Sequence, residues 1–490
     1  MRTEYVAHAE TIKKIDDQIG VIHEIYPLVL IYVKTGRLCD AAERIRKFKS
    51  DPIFHELVFS MPKALDNERI KEVVARYFRY VMFSHTWEGK EPTFQDVDGK
   101  SVYKPDAQPL KIKLRRFCET VQNDSEGYLW AWSDTCCINK ENETDFKESI
   151  RSMYNWYKKS ALTIVLLAAG SAILKDNRWM KRAWTLQELL SPNSIRFYDR
   201  NWKLYQGDML PNHKKSPRIM QELAEAIDLP RDALVDFSPK SLSVRAKLRL
   251  ASTRVATKKV DVAYALIGIF SSDLTYEPGR DPEAALGLLL EEIVHRKRDA
   301  EAVLDWIGES SEFNSCLPAH ISVYQHPSRT PPHIPEDAMK TRVAQLRDLL
   351  PRQSVTMFFE NLSSLRSIDF THRRLSLPCI AFSVTTLDEV LGQSKFEAFR
   401  TAFSPQHEVI LVHPWIRGLL AQVDQQECDN YTRALRLIVH LERPFRALLL
   451  HREEQSFDTW KRVAADTEFL IPKREIASLE GISARILEIL

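Results

Sequence analysis

Leu162–Ala168 (LTIVLLA), then Asp176–Leu190 (DNRWMKRAWTLQELL), then Ile195–Tyr198 (IRFY) form the succession that decides the fold class. The first and last stretches are too short and too apolar for anything but strands buried on both faces, and the middle one has helical periodicity. A strand, a helix and a second strand in that order call for a parallel pairing with a crossover. Working outward, Tyr80–Ser84 (YVMFS) and Tyr128–Ser133 (YLWAWS) read as two earlier strands. Between them, Leu114, Phe117, Cys118 and Val121 recur at helix spacing, and Ile150, Met153, Tyr154, Tyr157 and Ala161 mark a second helix before Leu162. The alternation predicts an α/β fold, a parallel sheet with helices on both faces and right-handed crossovers. In such sheets ligands gather beyond the carboxyl ends of the strands, at a topological switch point. The residues expected there are Ser84–Gly89, Asp134–Lys140 and Gly170–Arg178.

At roughly 100° per residue, Trp179, Ala183, Leu186 and Leu190 form one apolar stripe of the helix spanning 176–190, with Trp184 and Glu188 together on its far side. Core packing accounts for Trp179 and leaves Trp184 unexplained. An indole one turn before a glutamate makes half of a pocket wall where something flat binds; the plainer alternative is a solvated carboxylate beside a tryptophan that packs on another element. Ser84-His85-Thr86-Trp87 adds hydroxyls, an imidazole and an indole, and Asp134-Thr135 a carboxylate and a hydroxyl at a strand end. Singly, each reads as a turn or cap residue. Converging on one sheet edge, they become candidates for a site.

Composition removes several classes. Lys+Arg at 69 against Asp+Glu at 67 gives a net charge of +2, so no global field recruits nucleic acid. Lys111–Arg116 (KIKLRR) reads as the solvated basic face of a helix. There is neither G-x-G-x-x-G nor a Walker motif, which excludes the usual dehydrogenase and kinase phosphate loops. The seven cysteines contain no C-x-x-C pair, and no histidines stand in H-x-x-x-H spacing, so neither a disulfide framework nor a metal site is expected. Absence of a signal sequence or a span-length apolar run predicts a soluble, cytoplasmic protein. At 490 residues two or three domains are expected. The boundaries read as an N-terminal helical region (1–75), the α/β domain with trailing helices (76–275), a helix and linker (276–335), and a C-terminal mixed α+β domain (336–490).

Taken together, Phe83-Ser84-His85-Thr86-Trp87, then Trp132 to Lys140, then Met153 to Ala161, then Arg182-Ala183-Trp184-Thr185-Leu186-Gln187-Glu188 resemble, in order and spacing, the motif blocks of the fungal heterokaryon-incompatibility (HET) domain. Arg254, Asp261, Tyr264, Leu266, Gly268 and Phe270 fit a trailing block, so the resemblance covers roughly residues 76–275. Glu88 precedes Gly89 where the family usually has glycine at once, and Lys140 stands where glutamine is more usual. HET domains are in turn similar to TIR domains, the flavodoxin-like modules of immune signalling, several of which cleave NAD with a glutamate in a W-x-x-x-E setting. Trp184 to Glu188 has that spacing.

The resemblance implies a flavodoxin/TIR-like sheet and a role in fungal non-self recognition and programmed cell death. It also implies cleavage of NAD, as substrate rather than cofactor, at the nicotinamide–ribose bond. Glu188 would be the catalytic residue, with Ser84, Trp87, Asp134, Thr135 and Trp184 binding the substrate. Two rival readings use the same residues: a non-catalytic signalling or self-assembly module with Trp87 and Trp184 as anchors, and a nucleoside or nucleotide transferase differing only in the acceptor.

Overall fold

The computed structural model describes residues 2–59, 67–104, 112–168, 173–297, 299–326, 334–383, 409–415, 429–453, 459–463, 469–471 and 475–490. The chain divides into two compact units, one of Met1–Leu242 with Arg254–Pro278, the other of Ser243–Thr253 with Gly279–Leu490.

The first unit is built on a sheet of β1 (Leu30–Tyr32), β2 (Arg37–Cys39), β3 (Tyr80–His85), β4 (Trp130–Ser133), β5 (Leu162–Leu166) and β6 (Ile195–Tyr198). Among the described residues their order is β2-β1-β4-β3-β5-β6. The four strands β3 to β6 pair in parallel, and every residue of β3, β4 and β5 is buried, which is why these stretches are nearly continuous in apolar and aromatic residues. Helices α1 (Arg2–Ile25), α2 (Ala41–Lys49), α3 (Pro52–Phe59), α4 (Asn67–Phe78), α5 (Phe94–Val97), α6 (Ile112–Gln122), α7 (Glu143–Lys159), α8 (Arg178–Lys181) and α9 (Thr185–Leu190) surround it. In α6 the residues Leu114, Phe117, Cys118 and Val121 are buried, as their spacing predicts. Asn142 caps α7 by accepting from the backbone N–H groups of Thr144 and Asp145.

The strand order sets the geometry of the rim. From β3 the chain crosses through α6 to β4 on one side, then returns through α7 past β3 to β5, and continues outward to β6. Crossovers of one hand that run in opposite directions lie on opposite faces, so α6 covers one face and α7 with α9 the other. The reversal of direction falls beside β3, where the register pairs Ser84 with Val165 and His85 with Leu166. The carboxyl end of β3 is therefore the switch point.

Three local expectations are corrected. Residues 1–75 are not helical throughout: β1 and β2 add antiparallel strands beyond β4, with Ile31 opposite Ala131. Each is only three residues long, so no alternation could announce it. The single helix expected over 176–190 is broken. Arg182 is extended (φ −82, ψ 142) and bridges to Val255, separating α8 from α9. Similarly, Val260–Phe270, whose Val262, Leu266 and Ile269 spacing predicts one helix, forms two short ones, Asp261–Tyr264 and Ile267–Phe270. Gly268 lies so close to α7 that a Cβ there would fall 2.1 Å from the Tyr154 Cβ.

The second unit holds the mixed α+β architecture expected for the C-terminal region. Strands β7 (Ser310–Ser311) and β8 (Asn314–Pro318) form a hairpin. A larger sheet comprises β9 (Asp369–Thr371), β10 (Arg374–Ser383), β11 (Val409–Pro414), β12 (Phe445–Arg452), β13 (Thr459–Arg462), β14 (Phe469–Ile471) and β15 (Ile482–Ile489). Pairings of β10 with β11 and β15, of β12 with β11 and β13, and of β13 with β15 close a ring. Its core includes Leu346, Phe358, Leu435, Ile438 and Leu449, contributed by the helices Glu336–Leu349, Arg352–Ser364 and Asn430–Leu441 and by the sheet. Within the helix and linker expected over 276–335, the proline- and histidine-rich stretch Gly308–Pro335 reads as the linker, and its first part is corrected. Cys316, Leu317 and Tyr324 are buried there, and the Asn314 amide donates to the carbonyls of Arg373 and Ile489. Residues 327–333 of that stretch, Cys428 and Gly170–Ala172 lie outside the described residues. No described helix is long and apolar enough to cross a membrane.

Candidate active site

On the face covered by α7 and α9, the carboxyl edge of the sheet opens into a cavity of about 360 Å³ lined by Glu188, Asp134, Trp87, Trp184, Arg182 and His85, among others. The break at Arg182 explains how Glu188 reaches it: α9 starts afresh at Thr185 and turns its first carboxylate toward the strand ends. The residue is only 7% exposed.

Behind the carboxylate stands a hydrogen-bonded support. The Trp179 indole N–H donates to Ser84 Oγ at 2.7 Å, and the Ser84 hydroxyl donates to Glu188 Oε2. The Tyr157 hydroxyl lies near the carboxylate and slightly favours its ionised form, while donating its hydrogen bond to the Phe83 carbonyl at 3.3 Å. Trp179 and Ser84 are almost completely buried. Their polar atoms are satisfied by each other and by Glu188, so the oxygen they hold is fixed in place. No ion pair to Glu188 forms among the described residues. Burial pushes its carboxyl up to about 8, and the nearby Asp134 carboxylate adds to this, against opposing effects of the Ser84 hydrogen bond and Arg182.

Asp134 forms the opposite wall. The Trp87 indole N–H donates to Asp134 Oδ2 at 3.1 Å, and the Lys140 ammonium lies 4.1 Å from the centre of the Trp87 ring. Desolvation also raises the Asp134 carboxyl, opposed chiefly by Lys140. His85 stands at the rim with Nε2 3.8 Å from Asp134 Oδ1 and Nδ1 3.3 Å from the Lys113 ammonium. Burial and that ammonium push its imidazole down to about 3, so it is neutral at physiological pH. Across the cavity the Trp184 indole N–H donates to Asp261 Oδ2 at 3.2 Å, and the Tyr276 hydroxyl donates to Asp261 Oδ1 at 3.0 Å.

The six residues singled out from sequence thus separate. Glu188, Trp87, Asp134 and Trp184 line one cavity. Ser84 is drawn to the same place but sits behind Glu188 and spends its hydroxyl there, so a direct contact with substrate is corrected to support of the carboxylate. Thr135 is not brought in: it is buried, and its hydroxyl shares a hydrogen bond of 2.9 Å with Ser133. Arg182, Lys140 and Asp261 stood in the motif blocks without a role, and the cavity gives each a place. The positions of Trp179 and Tyr157 carried only a core signal, because a buried aromatic with a hydrogen-bonding tip looks in sequence like any other core aromatic. Arg254 donates to the Arg182 carbonyl at 2.9 Å and to Thr185 Oγ1 at 3.0 Å, fixing the start of α9. Among the described residues no group of three or more histidines, cysteines or carboxylates is placed to hold a metal.

Aromatic walls suit a flat ring, and a buried carboxylate without an ion pair among the described residues suits a ligand that brings positive charge or develops it.

Residues 80–176 match the family model described as heterokaryon incompatibility protein (HET). The chain is 33% identical over 230 residues to vegetative incompatibility protein HET-E-1 of Podospora anserina, a match covering 44% of this chain and 16% of that protein. The chain therefore spans under a fifth of that relative's length. No solved structure matches it.

Proposed function

We propose that this chain, a HET-domain protein by the match at residues 80–176, acts in heterokaryon incompatibility by cleaving NAD at the nicotinamide–ribose bond. The observation that carries the reading is a buried carboxylate held in an aromatic-walled hollow by the Ser84 hydroxyl, without an ion pair among the described residues. The strand order supports it, because the sheet reverses beside its first parallel strand as in flavodoxin-like and TIR-like folds, and ligands of such sheets bind at that point.

The chemistry follows from charge. Free of ligand, Glu188 titrates at about 8 and holds its proton at neutral pH. A nicotinamide ring joined to ribose is cationic, so its arrival beside Glu188, which has no ion-pair partner among the described residues, favours the ionised carboxylate. As the C–N bond breaks, the electron pair leaves with nicotinamide, which departs neutral and needs no acid. Positive charge passes to the ribosyl centre, where the Glu188 carboxylate stabilises it until water adds. The proton lost by water goes to Glu188 or to solvent. Trp87 and Trp184 flank the ring, and Asp134 is placed to accept from ribose hydroxyls.

The test follows NAD loss and nicotinamide release by the full chain and its Glu188→Gln and Glu188→Ala variants. The reading expects loss of turnover in both variants at unchanged melting temperature or above it. Equal turnover in wild type and variants would remove Glu188 from the chemistry. An assembly role is the second reading, favoured by Trp87, which is 38% exposed at the rim. It predicts that Trp87→Ala abolishes self-association in sedimentation while wild type shows no NAD turnover.

A further inference from the structure

A second hollow, of about 300 Å³, opens on the opposite, α6-covered face of the same strand ends. Its charged lining is mainly basic, with Glu88 the one carboxylate among the residues that line it. Lys113 and Arg116 come from α6, Arg200 follows β6, and Trp202 and His85 complete the wall. Lys113 is paired with Glu91 at 2.5 Å. Arg116 and Arg200 are exposed, and neither guanidinium has a carboxylate within ion-pair distance among the described residues.

Trp202 is held there at a cost. Its φ is +61, a left-handed conformation that a bulky side chain rarely adopts. Asp199 enforces the turn: its carbonyl accepts from the Trp202 N–H at 2.9 Å, and its carboxylate accepts from the N–H groups of Asn201 and Lys203 at 2.8 and 2.9 Å. The indole lies against Phe83, with ring centres 5.8 Å apart and planes 22° from parallel, and Phe83 stacks in turn on Phe117 at 4.4 Å. A rigid aromatic platform beside two uncompensated guanidiniums is the donor set for a flat base carrying phosphate.

We infer that this second cavity binds a nucleoside phosphate, the base against Trp202 and the phosphate oxygens on Arg116 and Arg200. The inference does not rest on chemistry at Glu188. Two sources share that ligand chemistry: the adenylate half of a dinucleotide reaching around His85, whose ring lines both cavities, or a separate nucleotide acting as effector.

Titrating ADP into the full chain, with tryptophan fluorescence and calorimetry as readouts, tests it. The inference expects saturable binding that weakens with salt, survives Glu188→Gln, and falls about tenfold or more in an Arg116→Glu, Arg200→Glu double variant of unchanged melting temperature. Inorganic pyrophosphate is expected to bind more weakly than ADP, because it has no base. A Trp202→Ala variant is expected to bring ADP down to the pyrophosphate level. Competition between ADP and NAD would identify one dinucleotide site, whereas binding of ADP without competition would identify an effector. Undiminished ADP binding to the double variant, or none to wild type, would overturn the assignment whatever Glu188 does.

Discussion

The two hollows at the carboxyl edge of one sheet share His85 and differ in how their charges are held. On the α7 face, Glu188 is buried without an ion pair among the described residues and Asp134 is partly buried beside it, so both are pushed toward their neutral forms despite the nearby Arg182 and Lys140. On the α6 face, cations stand at the mouth, in water, where charge costs little. The difference teaches where stability has been given up. Desolvating an unpaired carboxylate is expensive, whereas a solvated guanidinium is nearly free. The acidic hollow should therefore respond strongly to substitution and pH, and the basic one only to its ligand.

The largest expected effect is on Glu188 itself. Its native value of about 8 lies above the ordinary 4.5, so between these pH values the folded chain holds a proton that the unfolded chain has released. Stability contributed by this group is complete below about pH 4.5, falls as pH rises, and is lost above about 8. Glu188→Gln should remove that dependence. Relative to wild type it is expected to gain about 2–4 kcal/mol at pH 9 and little at pH 4, read from denaturant midpoints at both pH values. Next comes the wall behind the site. Gly268→Ala should lose about 1–3 kcal/mol, because the new methyl group has no room against Tyr154 on α7. Thermal unfolding checks it, and loss of the acidic hollow with retention of nucleotide binding in the basic one would sharpen the contrast.

Ser84→Ala is expected to cost about 1–2 kcal/mol. It strips one hydrogen bond from the ionised Glu188 and leaves the Trp179 indole N–H unpaired, so the carboxyl should titrate higher than in wild type. The smallest effect belongs to the other side: Arg116→Glu with Arg200→Glu should shift stability by no more than about 0.5 kcal/mol, since both side chains are exposed and unpaired. A large loss there would break the comparison.

The contrast also marks what sequence could carry. Tyr80–Ser84, Leu162–Ala168 and Ile195–Tyr198 were legible as strands because burial on both faces leaves continuous apolar runs, and α6 and α7 because one-sided burial leaves a helical stripe. Glu188 was legible as a carboxylate off that stripe. Its depth was not: burial results from the break at Arg182, which depends on a bridge to Val255, a partner far along the chain. Ser84 was found for the wrong reason, since hydroxyls read alike whether they serve a ligand or a neighbouring carboxylate. The basic hollow was missed entirely. In Lys111–Arg116 the charges look like a solvated helix face, and only folding sets two of them opposite Arg200 and a tryptophan in a left-handed turn.

The account as a whole depends on Glu188 withholding its charge until a cation arrives. The carboxyl ¹³C signal assigned by its absence in Glu188→Gln, followed against pH with and without a non-cleavable nicotinamide dinucleotide, measures that directly. The account predicts a midpoint near 8 in the free chain and a fall of about one unit or more when the dinucleotide binds. A midpoint at the ordinary glutamate value, or one that the dinucleotide leaves in place, would contradict it.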